Sequence, residues 1–212
     1  FLKYISVNFN KCGKYFISNS DQELNNLIYL KKIGEQNGLN DLDIYDYDYV
    51  KKNEPLLKAK NILFSPSSGI FDSYEYLSKL ETLSNDLDVI ISYSSPFINA
   101  DFIKNSFWKV NIGGINKCVI NSKFVVNCAG LNSSEISSKV FNDNSTPLSK
   151  PVKGAYLRYL DKPPFKHIIY SALIPGKIQE RADSTPDING MIRFGPSIEK
   201  VNISDYSFPK DL

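Results

Sequence analysis

Two hydrophobic periods alternate along the chain, and each change of period marks an element. Residues 12–18 (Cys-Gly-Lys-Tyr-Phe-Ile-Ser) form a short apolar run that predicts a strand. Ser20-Asp-Gln-Glu23 then has the spacing of a capping box, with Ser20 at the N-cap and Glu23 at N3. Leu24, Leu27, Ile28, Leu30 and Ile33 give the following helix its buried face, and Gly38 is a good stop. Residues 43–46 predict a short strand. Residues 47–53 predict a brief helix that ends before Glu54-Pro55, because a residue preceding proline avoids the α region. Asn61-Ile-Leu-Phe-Ser reads as a strand. Asp72 or Ser73 can cap a helix running to Leu83, with Tyr76, Leu77, Leu80 and Leu83 on one side.

Further on, Asp88-Val-Ile-Ile-Ser-Tyr predicts a strand, and residues 94–107 show no period and predict a variable excursion. The runs at 107–111 and 117–120 flank Gly113-Gly114 as a hairpin. Phe124, Val125 and Val126 predict a buried strand, and Asn127-Cys-Ala-Gly a turn of small residues. Asn132, Ser133 or Ser134 supplies the N-cap of a helix after it. A strand, such a turn and a helix N-terminus let backbone N–H groups approach a phosphate, although many α/β proteins carry such a turn without a ligand. After a polar loop with Pro147, residues 152–159, 165–171 and 178–182 read as successive strands. Asn189-Gly190 is a hairpin turn into a strand starting at Met191. The pattern therefore predicts an α/β (α+β) fold. An α/β region (1–149) mixes helices and strands, an antiparallel sheet region (150–212) follows, and no linker separates the two.

Composition narrows the function classes. The 212 residues suffice for one domain or two small ones, and 42% hydrophobic with 23% charged residues is ordinary for a globular chain. A net charge of +2 with scattered lysines points away from nucleic acid and membrane surfaces. No apolar run approaches the ~20 residues of a transmembrane helix. Cys12, Cys118 and Cys128 are isolated, which predicts a reducing intracellular compartment and no zinc site. The chain begins Phe-Leu-Lys and its single methionine is Met191, so a processed product or part of a longer protein is expected.

A series of short motifs then occurs in order: Asn10-Lys-Cys-Gly-Lys14, Asn37-Gly38, Lys52-Asn-Glu-Pro55, Ser65-Pro-Ser-Ser-Gly-Ile-Phe-Asp72, Val125-Val-Asn-Cys-Ala-Gly-Leu131, Pro151-Val-Lys-Gly-Ala-Tyr156, His167-Ile-Ile-Tyr170 and Phe194-Gly-Pro196. Together they resemble the flavin-dependent D-amino-acid oxidase superfamily, and most closely its L-2-hydroxyglutarate dehydrogenase branch. That branch has S-P-x-T-G-I-V-D, V-x-N-C-A-G-L, P-x-R-G-E-Y and H-L-I-Y at matching places. The resemblance implies an FAD-binding α/β domain joined to an antiparallel-sheet substrate domain. It implies an oxidoreductase that takes a hydride from C2 of a 2-hydroxy acid onto FAD and passes electrons to a quinone, an electron carrier or oxygen. A mitochondrial setting is compatible with it.

The same resemblance puts Asn127, Cys128, Ala129, Gly130 and Leu131 on the FAD side. Tyr156, Arg158 and Tyr170 fall on the substrate wall, with His167 and Asp183 as candidates for proton transfer. Alternation places His167 and Ile169 on one face of their strand and Ile168 and Tyr170 on the other. Read without the resemblance, His167 is a packed strand residue, Cys128 a small turn residue, and Tyr156 and Tyr170 sheet packing. Three departures matter. No G-x-G-x-x-G occurs, and the family's opening βαβ unit and closing C-terminal segment would lie outside the chain. Asp183 stands where the branch has histidine, and Arg181 where it has glycine. A carboxylate there would repel a dicarboxylate substrate unless Arg181 or Arg158 offsets it. The expectations that stay open are a 2-hydroxy acid dehydrogenase, a sister enzyme acting on an amine, amino acid or glycerol 3-phosphate, and a non-catalytic relative. The piece alone is expected not to hold FAD tightly.

Overall fold

The computed structural model describes residues 1–104, 106–143, 145, 147–172, 183–202 and 206–207. In chain order the elements are β1 (Phe9–Asn10), β2 (Lys14–Ser18), α1 (Asp21–Gln36), β3 (Asp43–Asp46), α2 (Tyr47–Asn53), β4 (Asn61–Ser65), β5 (Ile70–Phe71) and α3 (Ser73–Asp86). There follow β6 (Phe97–Ile103), β7 (Phe107–Ile112), β8 (Cys118–Ser122), a 3₁₀ turn (Gly130–Asn132), α4 (Ser133–Phe141), β9 (Val152–Arg158), β10 (Ile168–Ser171), β11 (Ser184–Pro186) and β12 (Ile192–Lys200). The fold is mixed α/β, as the pattern predicts. No described helix is long and apolar enough to cross a membrane.

The chain divides into two units. The first comprises Phe1–Leu83, Lys153–Glu199 and Tyr206–Leu212, and the second Ser84–Val152 with Lys200–Asp205. Residues 1–149 thus contribute to both units, and the strands after residue 150 do not form a sheet of their own. They join the first strands of the chain in a seven-stranded sheet of order β3-β4-β2-β10-β11-β12-β9. β2 and β10 pair in parallel, while β3–β4, β2–β4, β10–β11 and β11–β12 are antiparallel. The C-terminal strands β10, β11 and β12 pair antiparallel with one another, and the parallel β2–β10 pair joins them to the first strands of the chain.

Alternation along β2 sends its apolar residues to both faces, and a separate helix covers each. On one face Leu27 of α1 packs with Leu42, Leu63 and Ala172, flanked by Phe16, Leu30 and Ile44. On the other, Val50 of α2 packs with Tyr15, Leu57, Ala59, Ile62 and Ile169. The capping box is formed: Glu23 N donates to Ser20 Oγ at 3.3 Å, and Ser20 N donates to Glu23 Oε2 at 3.1 Å. Asp72 Oδ1 accepts from Tyr74 N and Glu75 N, both at 3.0 Å, at the start of α3.

The second unit is a β6-β7-β8 antiparallel sheet with α4 against β6. Trp108 lies 5.1 Å from Phe102 and 6.2 Å from Phe141 between ring centroids. Several sequence expectations fail here for physical reasons. Residues 88–93 form no strand: Asp88 N and Val89 N bond back to the end of α3, and Asp88 and Ser94 have φ of 58° and 53°, which breaks the extended run at both ends. Residues 94–107 contain β6, whose alternation is hidden by a register shift between Phe97 and Asn99. Residues 124–126 are not a strand either. Ser122 Oγ accepts from Phe124 N and donates to Phe124 O, so local bonds replace a ladder. Phe124 and Val126 are each 82% exposed. β11 was not anticipated, since Ser-Thr-Pro carries no apolar period. The strand expected at 178–182 lies outside the described residues.

Truncating Leu27, which is fully buried, to alanine removes the anchor between α1 and the sheet. The expected loss is about 2–5 kcal/mol of unfolding free energy in urea titrations, against less than about 0.5 kcal/mol for the exposed Ile90→Ala.

Candidate functional site

The parallel β2–β10 ladder sets Lys14 opposite Ile168, Tyr15 opposite Ile169 and Phe16 opposite Tyr170. Paired residues share a face, so Lys14, Phe16 and Tyr170 stand together on the α1 side and Tyr15, His167 and Ile169 on the other. β10–β11 pairing sets Ile169 opposite Ser184, and β11–β12 pairing sets Thr185 opposite Arg193. Asp183, Thr185 and Arg193 therefore follow Tyr170 onto the Lys14 face. α1 packs on β3, β4 and β2, so Thr185 and Arg193 stand on strands beyond those that the helix packs on, while Phe16 lies under it.

On that face the Lys14 ammonium sits 4.5 Å from the Tyr170 ring centroid and 5.4 Å from that of Phe16. Asp183, 3% exposed, accepts from Ser171 N at 3.2 Å through Oδ1, and its carbonyl accepts from Gly195 N at 3.0 Å. Burial holds the Lys14 ammonium below the ordinary lysine range, and the charge of Asp183 opposes that shift. Two residues singled out from the sequence, Tyr170 and Asp183, are thus brought together. The charge of Asp183 is felt at Lys14, which stands on the same face of the sheet. Arg158 is exposed on β9, and Arg181 lies outside the described residues. Lys14 was visible only as part of the Cys-Gly-Lys strand start, where nothing marks it as the neighbour of a residue so far along the chain.

His167 occupies the opposite face. Its ring stacks on Tyr15 with centroids 4.3 Å apart and meets Phe64 edge-on at 5.7 Å. Its Nδ1 donates to Glu54 Oε1 in a short contact, and Lys166 N donates to the same oxygen at 3.1 Å. Glu54 is 3% exposed. Burial alone would raise its carboxyl, but the bonds from His167 and Lys166 outweigh burial and hold it below the ordinary glutamate range. Gly13 makes room for this arrangement. Its φ is 74°, and a Cβ there would lie 2.6 Å from the Phe64 ring and 3.2 Å from His167 Cδ2. The spacing of Glu54 before proline predicts a helix stop but says nothing of a histidine partner far downstream.

Tyr156 is half-exposed on β9, with its ring edge 3.2 Å from where a Cβ at Gly195 would stand. Asn127, Cys128, Ala129, Gly130 and Leu131 lie in the second unit. Asn127 ties the loop to α4: its Nδ2 donates to Ser133 O at 2.8 Å and Ser137 Oγ at 3.1 Å, and its Oδ1 accepts from Ala129 N at 3.3 Å. Gly130 has φ of 56°, with no heavy atom beyond its chain neighbours within 4 Å of where a Cβ would stand. The N-cap of α4 is Asn132, whose side chain makes no cap bond, so the expected Asn or Ser cap is unused. Behind the loop runs an apolar groove of about 200 Å³ between β6, β7 and α4, reaching Trp108 and Phe141.

The model of the FAD dependent oxidoreductase family (DAO) matches residues 3–211. L-2-hydroxyglutarate dehydrogenase of Arabidopsis thaliana, a mitochondrial protein, is 25% identical over 226 residues, covering 92% of this chain and 46% of its own length. The fold is that of L-proline dehydrogenase from P. horikoshii (TM-score 0.79, 15% identity, covering 99% of this chain and 55% of that one). It is also that of L-alpha-glycerophosphate oxidase from Mycoplasma pneumoniae with FAD bound (TM-score 0.74, 14% identity, 92% and 52%). The chain spans about half the length of the relatives that it matches.

Glu54 contributes stability while it is ionised. With its folded pKa depressed, that contribution is full above the unfolded pKa and is lost as pH falls through the folded one. Glu54→Gln should therefore cost about 1–3 kcal/mol near neutral pH, a gap that closes below about pH 4 in chemical denaturation.

Proposed function

The chain belongs to the FAD dependent oxidoreductase family, and on that premise we propose that the whole protein oxidises a 2-hydroxy acid at C2 to the 2-oxo acid. The similarity to L-2-hydroxyglutarate dehydrogenase across 92% of the chain carries this reading. The position of Lys14 on the face of Asp183 supports it. A lone buried carboxylate on the substrate wall would repel an anionic acid, and a lysine on the same face opposes that repulsion.

The residues present fit one wall of a flavin nucleotide site. Residues 127–131 form an exposed loop of small residues, open at Gly130 and held against α4 by Asn127. Asn127, Cys128, Ala129, Gly130 and Leu131 would hold FAD there through backbone groups. When bound, FAD supplies the acceptor for a hydride, which carries both electrons of the oxidation. The chain's own part is binding and orientation. Tyr170 and Lys14 face the substrate, Tyr156 and Arg158 stand toward the sheet edge, and Asp183 adds a buried countercharge on the Lys14 face. His167, turned to the other face and bonded to Glu54, is assigned to securing β10 rather than to proton transfer.

The second reading is a sister oxidation of an amino acid or of glycerol 3-phosphate, which the solved structures of proline dehydrogenase and glycerophosphate oxidase favour through their shared fold. Dye-coupled turnover of the full-length protein separates them. L-2-hydroxyglutarate should be oxidised at least about tenfold more efficiently than glycerol 3-phosphate, sarcosine or L-proline, a difference of about 1.4 kcal/mol in transition-state binding. Turnover of one of the latter alone would select the sister reading, and a colourless protein that added FAD cannot colour would remove both. Asn127→Ala should loosen the loop and weaken flavin retention in equilibrium dialysis by about 5- to 30-fold, corresponding to roughly 1–2 kcal/mol.

A further inference from the structure

Lys14 is the first residue of β2, partly buried, on the face of the sheet that also carries Tyr170, Thr185 and Arg193. Its ammonium lies against the rings of Tyr170 and Phe16. An ammonium there has given up much of its water, and aromatic faces restore only part of that hydration. Asp183, on the same face, opposes the loss of that charge. Its carboxylate is almost wholly buried and is engaged by the Ser171 amide. An ammonium has three donors and no acceptor, so resting on two rings leaves donors for an anionic ligand.

We propose that Lys14 is the cation that receives a carboxylate of the substrate, with Tyr170 and Phe16 as the positioning residues whose rings it rests on and Asp183 as a buried countercharge on the same face. The assignment rests on the functional reading above and deepens it by naming the group that selects an anionic substrate. A strongly hydrated, flexible lysine makes a poor anchor unless something fixes its head, and here the rings of Tyr170 and Phe16 do so. Arg193, exposed on β12 and on the same face, is placed to take a second anionic group of a dicarboxylate.

The test uses the flavin-loaded full-length protein with calorimetric titration of 2-oxoglutarate, alongside steady-state kinetics on L-2-hydroxyglutarate and L-proline. Lys14→Met should weaken 2-oxoglutarate binding and raise KM for the substrate that is turned over by about 10- to 100-fold, with kcat within about threefold. Lys14→Arg should restore most of the affinity. Asp183→Asn should raise KM by a smaller factor in the Lys14 background and add nothing in the Lys14→Met background, a coupling that a merely structural aspartate would not give. Unchanged 2-oxoglutarate affinity and unchanged KM in Lys14→Met would overturn the assignment while leaving the functional reading intact. A wild-type protein that binds 2-oxoglutarate poorly but turns over L-proline with a Lys14-dependent KM supports Lys14 as anchor and overturns only the hydroxy-acid reading. A wild-type protein that binds and oxidises neither overturns both.

Discussion

Everything that can be said of the site depends on one ladder, the parallel pairing of β2 with β10. Because the side chains of a strand alternate, the register that sets Lys14 beside Ile168 decides at once what shares a face with what. It places Lys14 with Tyr170 and, through β11, with Asp183. It places Tyr15 beside His167 on the reverse side. A slip of one residue would exchange the two sets, putting a lysine into the Tyr15–Val50–Ile62 core and a tyrosine against α1. Burial of that core is what makes the slip costly, so the hydrophobic packing under α2 is also what orients the polar residues on the far face.

The charged residues on the two faces do different work. Glu54 and His167 sit among aromatic rings, with a backbone amide as third partner, and act as an internal brace between the end of α2 and the start of β10. Lys14 and Asp183 are arranged unequally: the acid is sunk in the sheet and tied to Ser171 N, while the base is partly open and rests on aromatic rings. A brace is satisfied on all sides. A lysine partly open and resting on two rings is the arrangement of a binding residue with a support behind it.

Much of the fold was legible in the sequence, and the limits have physical causes. The capping box at Ser20, the helix at Tyr47–Asn53 and the strands on either side of α1 follow from local rules that tertiary packing did not override. The alternation that set His167 and Ile169 against Ile168 and Tyr170 is what the register shows. Errors fell where local bonds compete with extended structure, as at Ser122–Phe124 and at Asp88, or where a register shift scrambles the period, as in β6. Of the candidate site, single residues could be read but not their partners. Glu54 and His167, like Lys14 and Asp183, lie far apart in the chain, and no periodicity reports a contact made by joining the first strands of a fold to the last.

On the proposed reading, the Lys14–Tyr170 face of this sheet, and not the His167 face, is presented to the substrate. A crystal structure of the full-length protein with 2-oxoglutarate decides between the two faces. The expected result is a ligand carboxylate within hydrogen-bonding distance of the Lys14 ammonium, with Glu54–His167 still sealed on the other face. A ligand seated against His167, with Lys14 facing away from it, would contradict that reading.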